Sequence, residues 1–565
     1  MFIKSKKIDH AALDALVNSG LNPHLAKFYS ARGIKHIDDA TLSIEKIIPP
    51  EALTNNALMA SILADAILQK QKILIIGDYD TDGATSTALG VRALKMMGAD
   101  VDYLVPNRFE FGYGLTPEIV DLAKEKNPKI IITVDNGIAS VEGVNQANQY
   151  GIDVLVTDHH LPGDTLPRAK CIVNPNQHGC DFPSKYLCGV GVIFYVMLAL
   201  RAELRKRDYF KGHPEPNLMQ LIDLVALGTV ADLVPLDRNN RTLVEYGIRR
   251  IRSGQANPGI RALMALTKKN PSQFHTSDLA FSIAPRLNAA GRLDDMTLGI
   301  QCLLSESYED ARFIASSLEA LNLKRRSIES EMKDGASIQL HDVNCEAQFS
   351  IALYDPTWHQ GVIGIIASRI KDKYHRPVIV FAKSDEGILK GSGRSIQSLH
   401  LRDALDLVSK KDPNILITFG GHAMAAGLTI KEADFDRFVH LFEETVQGLI
   451  TSDDLELTIE VDDALNFSEV TYEDVEHINA QVWGQGFPLP IFEGEFEVVE
   501  QKILADKHLK LNLLLQNKVF EAIYFNHSEH LPRKIKAIYQ VDSNEFNGNK
   551  KNSNSIKNAL LKRYP

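Results

Sequence analysis

The rhythm of hydrophobic and polar positions changes three times along this chain, and each change predicts a different architecture. Residues 1–70 read as short helices, one of them over Ala57–Gln69. From Lys72 onward, apolar runs at Ile73–Ile76, Val101–Val105, Lys129–Val134 and Ile152–Val156 alternate with helical stretches, including Ala84–Met97 and Val141–Tyr150. Short buried strands alternating with helices are the signature of a doubly wound, mostly parallel sheet. Residues 305–340 lack proline and place Phe313, Ile314, Leu318, Leu321, Ile328 and Met332 at helical spacing, which predicts one long charged connector helix. A second α/β lobe should follow, with strands Ile351–Tyr354, Val378–Phe381 and Ile415–Phe419 and a helix over Gly361–Lys373. Beyond residue 450, β-type runs such as Phe496–Val499 and Leu509–Leu515 predict a small barrel or sandwich. The expected segments are 1–70, 71–304, 305–340, 341–450 and 451–565.

Composition narrows the class. At 565 residues the chain exceeds one hydrophobic core and suggests roughly three or four domains. Its longest apolar stretch, Gly189–Leu200, is too short to cross a bilayer and runs into Arg201, so no membrane partner is expected. The N-terminal lysines have no apolar core behind them, so no secretory signal is read there. Five irregularly spaced cysteines predict reduced thiols and a cytoplasmic location. A zinc site could be assembled from His178, Cys180 and Cys188, but without a C-x-x-C pair buried thiols are the better reading. The net charge of -10 does not exclude nucleic acid, because divalent ions reverse the local sign of a carboxylate cluster.

Three predicted strands end on acids: Asp78, Asp135 and Asp158. Ligands of open parallel sheets bind beyond the carboxyl ends of the strands, so these side chains should converge on one crevice. A single aspartate after a strand is usually a helix cap. Caps do not explain three together, one followed by Tyr79-Asp80-Thr81-Asp82 and another by His159-His160. So many carboxylates repel one another unless cations compensate. Oxygen ligands with an imidazole suit Mn²⁺ or Mg²⁺, and two such ions about 3.5–4 Å apart can act on a phosphoester. Gly83 and Gly137 follow the acids, where tight turns bring backbone N–H groups to a phosphate. Gly228-Thr229-Val230-Ala231-Asp232, after the apolar helix Leu218–Leu227, reads by itself as a helix-ending turn with a solvated aspartate.

Together these residues resemble the DHH phosphoesterases, named for Asp158-His159-His160, and more closely the RecJ family of bacterial single-strand-specific exonucleases. The resemblance covers nearly the whole chain. It runs through Gly77–Gly83, Val134–Gly137, Thr157–His160 and Gly228–Asp232, then Pro285–Arg292, Trp358–Gly364, Ser392–Ser395 and Gly420–His422. It implies a DHH-type parallel-sheet lobe, a connector helix, a DHHA1-type α/β lobe and a C-terminal OB-like β-barrel. It further implies two Mn²⁺ (or Mg²⁺) ions, one held mainly by Asp80 and Asp135, the other by Asp82, Asp135, His159 and Asp232, with Asp135 bridging. Asp78 would support them, and His160 would touch the scissile phosphate or leaving group.

The guanidinium forks of Arg286, Arg292 and Arg394 match phosphate oxygens, though each taken singly is more often a salt-bridge residue. Asn288, His359, Ser392 and His422 complete the substrate set, and the resemblance assigns Pro285–Arg292 to a second lobe that faces the metal lobe across a groove. The implied activity is 5′ to 3′ exonuclease action on single-stranded DNA, releasing 5′-mononucleotides in recombination and repair. Implied partners are a single-strand-binding protein and a helicase, with the chain itself a monomer. The C-terminal barrel, with Trp483–Pro488, His508–Lys510 and Ala522–Phe525, would hold single strands by aromatic stacking and a basic groove.

Two departures stand out. Ile76 stands where many relatives have a metal-binding histidine, which leaves the first ion fewer protein ligands. After Asn544–Gly548 the polar and basic run from Asn549 to Pro565 is a poor final strand. The alternatives are a relative that cleaves short oligoribonucleotides or cyclic dinucleotides, and a non-catalytic DNA-binding scaffold. The long N-terminal segment, second lobe and barrel argue against the first, and the complete ligand set argues against the second.

Overall fold

In the computed structural model, which describes residues 2–107, 111–267, 269–341, 347–463, 470–542, 545–546 and 549–550, the alternating runs form a five-stranded parallel sheet. Its strands are β1 (Ile73–Gly77), β2 (Val101–Leu104), β3 (Ile130–Val134), β4 (Asp153–Thr157) and β5 (Cys171–Val173), in the order β2-β1-β3-β4-β5. All of β1 and β3 is buried, as expected for a parallel sheet covered on both faces. On one face Leu74, Ile76, Ile131 and Val154 pack with Val144 and Ala147 of the helix Val141–Gln149. On the other face Ile75 meets Gly90, where a Cβ would come within 2.8 Å of the Ile75 side chain.

The helices that matter to the site are α1 (Asn56–Leu68), α2 (Thr81–Met96), α3 (Gly189–Lys206), α4 (Ile222–Ala231), α5 (Arg238–Arg252) and α6 (Ala284–Leu293). The apolar stretch from Gly189 is the buried first half of α3, a core helix. No helix among the described residues is long and apolar enough to cross a membrane. Leu218–Leu221 is a separate 3-10 turn, and α4 continues through Gly228 where a helix end was expected. Gly228 serves close packing there, since a Cβ would approach Asp82 Oδ1 to 2.7 Å and Val190 to 2.6 Å. The N-terminus also departs from the all-helical expectation, because Phe2–Ser5 is a strand paired with Thr458–Val461.

The connector is a 34-residue helix, α7 (Tyr308–His341). The fold divides the chain into one unit of residues 5–319 and 460–565 and a second of residues 1–4 and 320–459. The second unit carries β6 (Ile351–Tyr354), β7 (Val378–Lys383), β8 (Ile388–Arg394), β9 (Thr418–Gly421) and β10 (Ala425–Lys431), ordered β9-β10-β8-β7-β6 with only β6 and β7 parallel. Helices α8 (Ile363–Tyr374), α9 (Leu401–Lys411) and α10 (Phe435–Gln447) belong to it, and Ile379, Phe381, Leu405, Phe438 and Phe442 sit in its core. The strand expected from Ile415 begins only at Thr418, because Ile415 is buried in the preceding turn.

In the first unit the C-terminal part contributes an antiparallel sheet of β11 (Phe492–Leu504), β12 (His508–Leu515), β13 (Lys518–Tyr524) and β14 (Lys534–Tyr539), ordered β13-β12-β11-β14. Alternation along β12 buries Leu509, Leu511 and Leu513. The poor final strand read from the sequence lies, beyond Lys550, outside the described residues.

Trp483 and Phe487 are not a stacking platform. They are 5% and 4% exposed and stack on each other at 5.2 Å, with Tyr29 edge-on to both. The guanidinium of Arg32 lies 5.2 Å from the Trp483 ring, and that of Arg241 lies 4.1 Å from the Phe487 ring. This cluster joins the N-terminal segment and α5 to the C-terminal region, so its ring faces are already covered.

Candidate metal centre

Each acid-ending strand delivers its carboxylate one residue past the sheet: Asp78 after β1, Asp135 after β3 and Asp158 after β4. The chain reverses at Asp135, whose φ of 61° lies in the left-handed region that aspartate tolerates better than most residues. Asp80 caps α2, its Oδ1 accepting the Gly83 N–H at 3.0 Å. Gly83 has no room for a side chain, since a Cβ would overlap the Asp78 carbonyl. Asp82 is fully buried and accepts the N–H groups of Gly189 (2.6 Å) and Val190 (2.9 Å), so the first turn of α3 holds its carboxyl group in place. Asp232, at the C-terminal cap of α4, turns inward and is not the solvated residue expected at a helix end.

His159 Nε2 lies 3.0 Å from Asp135 Oδ1, 3.6 Å from Asp232 Oδ2 and 3.9 Å from Asp82 Oδ2. Asp82, His159 and Asp232 can offer ligand atoms within 4.8 Å of one another, and so can Asp78, Asp80 and Asp135. Asp135 contacts both sets. Its Oδ1 is buried and has no hydrogen-bond partner among the described residues. Burial, then the Asp80 charge, raises Asp82 to about 7; burial and neighbouring carboxylates likewise raise Asp135 and Asp232 well above the usual range. Crowded, desolvated carboxylates with an orphaned oxygen are what a divalent cation would neutralise, so the residues present fit a pair of such ions. Oxygen donors with one imidazole suit Mn²⁺ or Mg²⁺. Ile76 faces the apolar side of the sheet and offers no ligand. The thiols of Cys180 and Cys188 are buried, and no zinc set forms around them among the described residues.

Asp158 does a different job. Its Oδ1 accepts from the backbone N–H of His159 (2.7 Å) and of His160 (3.1 Å) and pairs with His160 Nδ1 at 2.7 Å, while its Oδ2 accepts from Ile138 N–H at 2.9 Å. Burial opposes charge on both partners, yet the pairing wins: Asp158 is held below the usual carboxylate range and His160 is raised to about 9. Asn176 and Asn174 donate to the carbonyls of His159 (2.6 Å) and His160 (2.9 Å), fixing the loop.

The Pro285–Arg292 segment, assigned by resemblance to the second lobe, is helix α6 of the metal-bearing unit. Asn288 Oδ1 accepts both the N–H (2.8 Å) and the hydroxyl (2.9 Å) of Thr81, so it braces the turn between Asp80 and Asp82. Arg286 pairs its fork with Glu319, Nε–Oε2 2.6 Å and Nη2–Oε1 3.0 Å. Arg292 lies on the last turn of α6. In the second unit, Arg394 Nη1 reaches the Ser392 hydroxyl at 3.3 Å, and a Cβ on Gly364 would lie 2.9 Å from that hydroxyl. His359 Nδ1 accepts the Gly361 N–H at 3.0 Å, and His422 sits in the hairpin joining β9 to β10, whose Ala425 pairs with Arg394. Ser392, Arg394 and His422 thus gather around one end of that sheet.

Sequence reasoning missed two contributors, Gly189 and Tyr113, and gave a third, Asp158, a different role. Gly189 reads along the chain only as the start of an apolar run, although Gly189-Val190-Gly191 opening a helix is a signal for close approach. Asp158 reads as part of the cluster, whereas it orients the histidines. Tyr113 passes unnoticed between Gly112 and Gly114, and its hydroxyl contacts both His160 and the Asp135 carbonyl.

Comparison with known proteins bears on the fold and the family. Residues 72–229 match the DHH family N-terminal domain, 347–448 the DHHA1 domain and 461–558 the RecJ OB domain. The chain is 46% identical over 544 residues to the single-stranded-DNA-specific exonuclease RecJ of Salmonella typhimurium, covering 94% of each. It is similar to the crystal structure of RecJ in complex with Mn²⁺ from Thermus thermophilus, with a TM-score of 0.82 and 29% identity, covering 100% of this chain and 79% of that one. The Mg²⁺ complex of the Thermus protein matches with a TM-score of 0.76 and 28% identity, covering 100% of this chain and 78% of that one.

Proposed function

The chain belongs to the RecJ family of DHH phosphoesterases, and on that premise we propose that it is a metal-dependent exonuclease degrading single-stranded DNA. The observation that carries the chemistry is the convergence of Asp82, Asp135, His159 and Asp232, from four separate segments, on one buried crevice. In this reading Asp80 and Asp135, with Asp78 beside them, hold one Mn²⁺ or Mg²⁺, and Asp82, Asp135, His159 and Asp232 hold the other. Bound together, the ions would polarise the phosphoester and acidify a water. The protein's own share is positional. Asp135 shares its carboxylate between the two sets, and the α3 N-terminus keeps Asp82 aimed. Asp158 pairs with His160 Nδ1 and raises the imidazole above its ordinary pKa, which favours the form that can donate a proton to a phosphate or leaving oxygen.

Strand recognition is assigned to His359, Ser392, Arg394 and His422 in the second unit and to Arg286 and Arg292 on α6. Arg286 reaches a phosphate only by exchanging Glu319. Asn288 acts through Thr81. The five segments 1–70, 71–304, 305–340, 341–450 and 451–565 are proposed as N-terminal, catalytic, connector, substrate-binding and OB-like parts. The polarity proposed is 5′ to 3′ with 5′-mononucleotide products, acting in recombination and repair as a cytoplasmic monomer beside a single-strand-binding protein and a helicase. Digestion of end-labelled single strands, blocked at either end, in Mn²⁺ and in Mg²⁺ tests activity, polarity and metal together. Asp135→Ala should abolish digestion while the protein stays folded. Full activity in that variant, or a faster rate on dinucleotides than on long strands, would overturn the reading.

A further inference from the structure

The hydroxyl of Tyr113 reaches the metal crevice. Its oxygen lies 3.2 Å from the Asp135 carbonyl oxygen, 3.2 Å from His160 Nδ1 and 3.4 Å from His160 Nε2. The ring stands edge-to-face to His160, with centroids 5.8 Å apart at 75°, and edge-to-face to Tyr79 at 6.3 Å and 78°. The backbone that follows it is anchored. Gly112 and Gly114 on either side take φ of 75° and 80°. Leu115 is buried, its N–H bonded to the Ser140 hydroxyl at 3.0 Å, and Gly143 lets the helix Val141–Gln149 press against the Leu115 carbonyl.

A phenol donates one hydrogen bond. The Asp135 carbonyl can only accept, so the Tyr113 proton goes there, and the phenol oxygen lies beside the His160 ring. Asp158 holds the same imidazole at Nδ1, 2.7 Å away.

We propose that Tyr113 is a positioning residue for hydrolysis: its hydroxyl links the His160 imidazole to the backbone carbonyl of Asp135, so that the histidine and the shared carboxylate keep one mutual geometry. The inference rests on the reading that His160 acts on the reacting phosphate. The alternative, that Tyr113 merely packs its ring, is met by Tyr113→Phe, which keeps the ring against Tyr79 and His160 and removes only the hydroxyl.

With single-stranded DNA and Mn²⁺, Tyr113→Phe should lower kcat by about tenfold to a hundredfold with KM changed less than about threefold, the signature of lost orientation. In a His160→Ala background the same substitution should cost nothing further, because the tyrosine acts through the histidine. In the metal-free protein the ring ¹⁵N resonances of His160 should move on loss of the hydroxyl. Wild-type kcat with an unmoved His160 signal would overturn the proposal, and so would equal losses from Tyr113→Phe with and without His160. A wild-type protein inactive on single strands would instead sink the functional reading, so the two failures are distinguishable.

Discussion

Asp82 and Gly189 meet at 2.6 Å, the carboxylate of one accepting the backbone N–H of the other where α3 begins. The same glycine presses on Asp135, for a Cβ there would lie 2.5 Å from the aspartate Cβ and 2.8 Å from its Oδ1. One backbone position thus sets the spacing of two proposed metal carboxylates. Gly189→Ala should cost about 1–3 kcal/mol of stability by overpacking. It should also weaken Mn²⁺ uptake by about tenfold or more, because a ligand is displaced. Thermal melts and calorimetric titration of Mn²⁺ check the two effects, and unchanged uptake would show that Asp135 can move aside.

Asn288 separates two roles. If it braces Thr81, Asn288→Ala strands a buried donor and should destabilise by about 1–3 kcal/mol while lowering kcat, with single-strand affinity unchanged. If it contacts the strand, affinity falls and stability holds. Chemical denaturation and fluorescence anisotropy on labelled single strands distinguish these outcomes.

The metal-free protein should respond to pH through Asp82. Burial, then Asp80, holds it at about 7 in the fold, against roughly 3.9 in an unfolded chain. A raised pKa contributes stability that is fully present below about pH 4 and is lost as pH rises through about 7. Asp82→Asn has no such titration. The wild-type melting temperature should therefore fall relative to that of Asp82→Asn between about pH 4 and pH 7. A difference that stays flat across this window would mean Asp82 is ionised throughout. Added Mn²⁺ should reverse the trend, since binding needs the deprotonated carboxylate.

Trp483→Ala should act on folding. Its ring is buried against Phe487, Tyr29 and Arg32, so truncation should cost about 3–5 kcal/mol. Single-strand affinity of the folded protein should stay near that of the wild type. A loss of affinity at unchanged stability would return Trp483 to the role of a stacking surface.

How much was legible beforehand follows from the range of the signal. The runs Ile73–Ile76 and Ile152–Val156 announce buried strands because period and apolar run length are local properties. The acids at their ends announce a crevice because parallel strands share one carboxyl edge. The long connector was equally plain, since Phe313 to Met332 keep helical spacing over several turns. By contrast, Asp232 looked like a solvated cap, because nothing near Gly228 reports that α4 packs on Asp82.

The sequence alone therefore determined the order of sheets and helices, the acidic strand ends and, through the order of its motifs, the family. Only the tertiary structure decided what each polar group does. It placed Asn288 on Thr81, Arg286 on Glu319, Trp483 inside an aromatic joint and Tyr113 on His160. Tyr113 and His160 are 47 positions apart and Thr81 and Asn288 are 207 apart. Hydrogen bonds and ion pairs depend on distances of a few ångströms, and at such separations no local periodicity encodes them. Proposed metal ligands such as Asp82 and Asp135 could be listed from the chain, but that Gly189 holds them at their spacing shows only once the helices are packed.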